Sequence, residues 1–213
     1  MSAAVSRGRD SARRRVVDVV VAGGAGTVLS PVLGLIAVLV RLRMGPPVLF
    51  RQRRTGRDGR EFAIVKFRTM RAPLHPSEPD AARVPPLGRM LRATSLDELP
   101  QLWNVLRGEM SLIGPRPTLP EQVAGYSTRQ HRRHEIRPGL TGWAQVNGRN
   151  AISWPERIEL DIWYSEHRSL RLDLAIVART LAGWGRREGI TGEGGVNPGF
   201  PGPSPSADAD RDP

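Results

Sequence analysis

The chain has 213 residues, 39% of them hydrophobic, which allows one domain with a modest core. It contains no cysteine, so disulfides and cysteine-ligated zinc are excluded. Lysine and arginine total 32 against 21 acids, and the formal charge of +11 directs the protein towards anions: nucleic acid, nucleotide phosphates or an acidic membrane surface. The excess is mostly arginine, whose planar fork suits bidentate phosphate contacts.

Residues 1–15 form a polar, basic lead. Residues 16–40, VVDVVVAGGAGTVLSPVLGLIAVLV, carry a single charge, Asp18. At about 1.5 Å per residue this run can cross a bilayer core of about 30 Å. It is too long for a signal peptide and lacks a cleavage site. Arg13, Arg14 and Arg15 precede it, and Arg41, Arg43, Arg51, Arg53, Arg54 and Arg57 follow, so the positive-inside rule places both ends in the cytoplasm. Ser30-Pro31 falls mid-run. Proline removes a helix hydrogen bond, and a serine hydroxyl can satisfy the freed carbonyl. Gly23, Gly24 and Gly26 loosen the first half. The reading is a helix-break-helix that enters one leaflet and returns; the alternative is one tilted span.

Gly45-Pro46-Pro47 ends this segment. Residues 48–70 predict a β-hairpin, with Val48–Phe50 and Glu61–Val65 as strands and Asp58-Gly59 as the turn. Five prolines make 71–88 a loop. A helix follows to about Arg107, with Leu99, Leu102, Trp103 and Leu106 at helical spacing, and Gly108 stops it. Residues 111–113 are extended. Residues 120–136 predict a surface helix; Arg132 and Arg133 would repel a cation from His131 and His134, so that face is read as solvated. Residues 138–149 are turn-rich with a strand-like centre. Residues 155–168 and 172–184 are amphipathic helices, the second lying on the membrane.

The fold class is therefore α+β, mainly helical. A re-entrant membrane helix (16–43) precedes a compact cytosolic catalytic domain (44–185) with a small β-hairpin and membrane-surface helices. A Gly/Pro/Ser/Asp-rich tail (186–213) is read as disordered.

The chemistry centres on Asp97-Glu98. These acids follow Thr94-Ser95 at a helix start, with Pro100 in the first turn. One carboxylate can serve as nucleophile and the other can hold a metal. The alternative is plain capping, with Thr94 or Ser95 as cap and Glu98 as box partner. Lys66 and Arg68 alternate on a strand and face one way. Arg92 lies five residues before Asp97, Arg116 sits between two prolines, and Arg137 and Arg149 bracket PGLTGWAQVNGR. Cations around an acidic pair suggest phosphoryl chemistry, usually with a divalent ion, in which a carboxylate can attack phosphorus. No P-loop, GxSxG or HExxH signature is present. No nucleic-acid-binding motif is present either, and such a role would leave the apolar segment unexplained.

Ser30-Pro31, GPPVLFRQRRTGRDGREFAIVKFRTM, LRATSLDELPQLWNVLRGEMSLIGPRP and RPGLTGWAQVNGR, in that order, resemble the bacterial sugar transferase family, the monotopic phosphoglycosyl transferases, over residues 13–182. The resemblance implies transfer of a sugar-1-phosphate from a UDP-sugar to polyprenol (undecaprenyl) phosphate, with release of UMP, to initiate a polysaccharide or glycoconjugate. It implies Asp97 as the nucleophile that carries a covalent phosphosugar and Glu98 as the Mg2+ ligand. Lys66, Arg68, Arg92, Arg116, Arg137 and Arg149 match basic positions that bind the diphosphate and uridine, and Asp161 matches an acidic position with a supporting role. It also implies a monotopic protein of the bacterial inner membrane, facing the cytoplasm. Pro85-Pro86 departs from the family's more polar pair and is expected to alter the rim of the site. The chain reads as the minimal catalytic form. Neither the sugar nor an oligomeric state has a signal in the sequence.

Overall fold

The computed structural model describes residues 12–75, 77–148 and 152–183. The tail from 186, the lead to residue 11 and Arg149 lie outside them. The architecture is mainly helical with two small sheets.

Pro31 cannot donate to the Thr27 carbonyl, and the apolar helix breaks there. Helices α1 (Ala12–Val28) and α2 (Ser30–Met44) meet at Leu29 with a 61° bend. Ser30 Oγ donates to the orphaned Thr27 carbonyl at 2.8 Å, and Thr27 Oγ1 donates to the Gly23 carbonyl at 2.9 Å. Among the described residues no single helix is long and apolar enough to cross a membrane; the bent pair together meets that length and composition. Each helix buries one face, through Ala22, Ile36 and Val40, and leaves Val16, Val20, Val28, Leu35 and Leu42 exposed.

Asp18 explains how α1 is seated. Its buried carboxylate accepts from Ser111 Oγ and from the Leu112 amide, both at 3.0 Å. One turn earlier, Arg15 donates to the Val105 and Leu106 carbonyls at 2.5 and 2.7 Å. The basic lead read from sequence is thus helical from Ala12, because its arginines bind the rest of the protein. Asp18→Ala is expected to cost about 1–3 kcal/mol, since a hydroxyl and an amide lose their acceptor. Thermal melts of the detergent-solubilised protein check this; an unchanged midpoint would refute it.

Strands β1 (Leu49–Thr55) and β2 (Glu61–Phe67) pair antiparallel, with Phe50 opposite Lys66 and Arg54 opposite Phe62. Asp58 (φ 56°) and Gly59 (φ 75°) both take the left-handed conformation that this turn dipeptide favours. The first strand runs five residues past Phe50, where the sequence reading ended it. Asn104 then pins β2 to a helix: its side chain accepts from the Val65 amide at 3.1 Å and donates to the Ala63 carbonyl at 2.8 Å.

The predicted loop 71–88 holds the start of helix α3 (Pro86–Ala93). Pro85-Pro86 supplies its first residues, a place where a missing N–H costs nothing. Leu96–Gln101 form a 3-10 helix that runs into α4 (Leu102–Arg107), closed by Gly108 at φ 82°. The capping box of the alternative reading is absent. Ser95 sits at φ 55° with no side-chain cap bond, and Thr94 Oγ1 instead donates back to the Met90 carbonyl at 2.9 Å. Strand β3 (Ser111–Ile113) pairs in parallel with β4 (Gly139–Thr141).

The predicted helix 120–136 is three short pieces: α5 (Pro120–Val123), α6 (Thr128–His131) and a 3-10 turn over Arg132–Glu135. Its solvated face is a correction as well: Arg133 and His134 are buried, and His134 stacks on Tyr126 at 5.8 Å. Burial and the neighbouring Arg133 charge push His134 down to about 3, so it is neutral at pH 7. Helix α7 (Trp143–Val146) precedes α8 (Trp154–His167), which starts with a Ser153–Glu156 capping box. Helix α9 (Leu170–Ala182) exposes Leu170, Leu174, Val177 and Leu181 as one stripe, and the Arg14–Asp173 ion pair ties it to α1.

Candidate active site

Asp97 lies in the first turn of the 3-10 helix and is 6% exposed. It accepts no hydrogen bond from any described residue. Burial, then the adjacent Glu98 charge, raise its pKa to about 6, with Lys66, Arg116 and Arg92 offsetting part of the rise. Glu98 behaves differently although it is the next residue. Burial also pushes it up, but the Arg116 guanidinium, hydrogen bonded to it at 2.6 and 3.4 Å, together with the Lys66 and Arg54 charges, holds it below the ordinary value. Two adjacent carboxylates are thus driven apart by their surroundings, one bare and basic and one paired.

The cations arrive from separate elements. Lys66, the only lysine in the chain, comes from β2; its ammonium lies 5.4 Å from the centre of the Phe50 ring. Burial lowers its pKa, and the Asp97 and Glu98 charges partly restore it. Arg92, near the end of α3, is steadied by its Nε donating to Thr69 Oγ1 at 2.9 Å. Arg116 is set by backbone packing. The Gly114 amide donates to the Thr141 carbonyl and the Gly139 amide to the Pro115 carbonyl, both at 2.9 Å. A Cβ on Gly114 would lie 2.4 Å from the Arg137 carbonyl oxygen, so only glycine allows GPRP to press against RPGLTG.

The remaining sequence candidates lie elsewhere. Arg68 donates to the carbonyls of Met44, Gly45 and Pro46, fastening the C-terminal end of α2 to the hairpin. Arg137 Nε donates to the Gly108 carbonyl at 2.9 Å, at the end of α4. Asp161 is 1% exposed and ion-paired with Arg133, also 1% exposed. Arg133 in turn donates to Tyr126 Oη at 2.8 Å and to the Arg116 carbonyl at 3.0 Å. Asp161 therefore supports the wall behind Arg116 and does not face the acid pair.

Two cations that the motif reading passed over belong to the site's surroundings. Arg54, from β1, and Arg157, from α8, both feel the Arg116 charge. The hairpin register puts Arg54 on the face that carries Phe50 and Lys66, a pattern visible only once β1 is extended to Thr55.

Among the described residues no group of three or more His, Asp or Glu side chains forms a metal cage. Among the described residues, Asp97 and Glu98 are the carboxylates that act on Lys66 and Arg116. That donor set fits Mg2+, which keeps several waters and binds through one or two carboxylates together with substrate phosphates.

The chain matches the bacterial sugar transferase family over residues 9–187. It is 51% identical over 153 residues to the uncharacterized sugar transferase EpsL of Bacillus subtilis, covering 70% of this chain and 75% of that protein. It is 46% identical over 184 residues to the UDP-glucose:undecaprenyl-phosphate glucose-1-phosphate transferase of Caulobacter vibrioides, covering 79% and 68%. It is 38% identical over 188 residues to the exopolysaccharide production protein ExoY of Rhizobium meliloti, covering 79% and 83%. The chain, with its split acid pair ringed by cations, is a transferase and belongs to the bacterial sugar transferase family.

Proposed function

We propose that the protein transfers a sugar-1-phosphate from a UDP-sugar to polyprenol (undecaprenyl) phosphate, in two steps through a covalent phosphosugar on Asp97. One observation carries this reading: Asp97 is buried and unbonded, beside a Glu98 that Arg116 keeps ionised. The activity for which the Caulobacter relative is named supports the substrate class. A carboxylate that accepts no hydrogen bond keeps its lone pairs for attack.

In the first step an Asp97 oxygen bonds to the sugar-bearing phosphorus, and UMP leaves with the electron pair of the broken P–O bond. In the second step a phosphate oxygen of the polyprenol attacks the same phosphorus and Asp97 departs. Lys66, Arg92 and Arg116 hold the phosphates and neutralise charge as it moves. Mg2+, held by Glu98, would screen the repulsion between Asp97 and the diphosphate. Incubating membranes with radiolabelled UDP-sugars, Mg2+ and polyprenol phosphate tests the reaction; organic-soluble label and released UMP are expected, and their absence across a donor panel would refute it.

The same reading places the protein at the cytoplasmic leaflet of the inner membrane. The exposed apolar faces of α1 and α2, the α9 stripe and the arginines at both ends of the bent pair support a re-entrant seat. Because the chain has no cysteine, Val5→Cys and Arg60→Cys each create a unique label. Both are expected to react with an impermeant maleimide only from the cytoplasmic side. Labelling at residue 5 from outside would establish a full span, and Pro31→Ala is expected to favour that span.

A further inference from the structure

Arg54 is a cation without an anion of its own. Its Nη2 donates to the Gln52 side chain at 2.7 Å and its Nη1 more weakly to the Pro117 carbonyl at 3.4 Å, so both direct partners are neutral. Its Nε is buried and has no hydrogen-bond partner among the described residues. Burial first, then the like charge of Arg116, pull its pKa down to about 10, while Glu98 and Glu121 act the other way. Glu98 is already engaged by Arg116, with side chains 22% and 48% exposed respectively, so the cluster opens to solvent there. Among the described residues, the four cations Lys66, Arg92, Arg116 and Arg54 are thus met by Asp97, Glu98 and, at Arg54, Glu121. Clustered, partly buried like charges are relieved by an anion of two or more charges.

Resting on the transfer reading above, we propose that Arg54 binds the nucleotide-side phosphate of the donor diphosphate and stabilises the departing nucleoside monophosphate. Arg116, which pairs with Glu98 and precedes the Pro117 carbonyl that Arg54 donates to, then bridges the two phosphates. In the first step the Asp97 oxygen–phosphorus bond forms, the bridging P–O bond breaks, and the negative charge released settles on the phosphate beside Arg54. No nucleotide remains in the second step, so Arg54 is needed for the donor half-reaction alone.

The test uses full-length protein in detergent with Arg54→Gln and Arg54→Lys. Titration with inorganic pyrophosphate is expected to show affinity falling about 10–100-fold in Arg54→Gln, the worth of a charge-assisted hydrogen bond, and largely recovering in Arg54→Lys. Exchange of labelled UMP into the UDP-sugar without polyprenol phosphate should fall by a similar factor, while discharge of the isolated phosphosugar-enzyme to polyprenol phosphate changes less than about twofold. Wild-type pyrophosphate affinity in Arg54→Gln would overturn the proposal, as would equal loss in both half-reactions with a lowered melting temperature. If the wild-type protein shows no exchange with any donor, the transfer reading fails, and the pyrophosphate titration still decides whether Arg54 is a diphosphate ligand.

Discussion

Asp97→Asn is expected to abolish sugar-phosphate transfer while making the protein more stable at neutral pH. Loss of a nucleophile costs at least about 10³-fold in rate, because the amide cannot form the acyl phosphate. The gain in stability follows from the same burial. Asp97 titrates at about 6 in the folded protein against an ordinary 3.8, with burial as the main cause and the Glu98 charge second. Folding therefore penalises the ionised form by about 3 kcal/mol. Below pH ~3.8 both folded and unfolded states are protonated and the penalty is absent; it grows between the two values and is complete above pH ~6. Asparagine, neutral throughout, escapes it. Melts of Asp97→Asn and wild type should differ by several degrees at pH 7.5, on the order of 2–4 °C per kcal/mol, and converge near pH 4. Wild-type activity should fall about tenfold per pH unit below about 6, as the attacking carboxylate takes up a proton. A variant that keeps activity, or whose stability advantage grows on acidification, would contradict the assignment.

Asp161→Ala is expected to destabilise the protein strongly without altering the chemistry of the molecules that remain folded. The Arg133–Asp161 pair is almost fully buried, and removing one partner leaves a charge in the interior at a cost of about 3–5 kcal/mol, a large share of a typical domain's stability. Among the described residues Arg133 would keep only the Tyr126 hydroxyl and the Arg116 carbonyl as hydrogen-bond partners. The measurement pairs a denaturant melt with kinetics at low temperature. Activity should track the folded fraction, with the KM for donor changing less than about threefold. Full stability with a raised KM would instead make Asp161 a substrate contact.

Much of the local structure is legible in residue chemistry. A proline inside an apolar run with a serine before it specifies a break and the hydroxyl that heals it, since both act within one helical turn. Asp58-Gly59 specifies the hairpin, because few other pairs accept two left-handed residues. Gly108 ends α4 for the same reason. The acid pair stands out by its position at a helix start, yet the capping reading of that position is wrong. The flanking Ser95 turns left-handed, and its side chain makes no cap bond to the 3-10 amides.

What composition and pattern determined was a helical protein with a broken apolar helix, a basic hairpin and two adjacent carboxylates. Tertiary structure decided which cations meet those carboxylates. Lys66 and Arg68 are two residues apart in sequence, yet one faces Asp97 and the other fastens α2, because the strand ends at Phe67. Arg133 sits in a polar, basic run that reads as surface, and Asp161 in a helix that reads as amphipathic; only packing buries them together. Arg54 joins the site through the register of a hairpin pinned by Asn104. The physical reason is common to all three. Short-range rules set backbone conformation within a turn or two, whereas a charge's function depends on its distance from other charges and from water, which the packing of distant segments alone fixes.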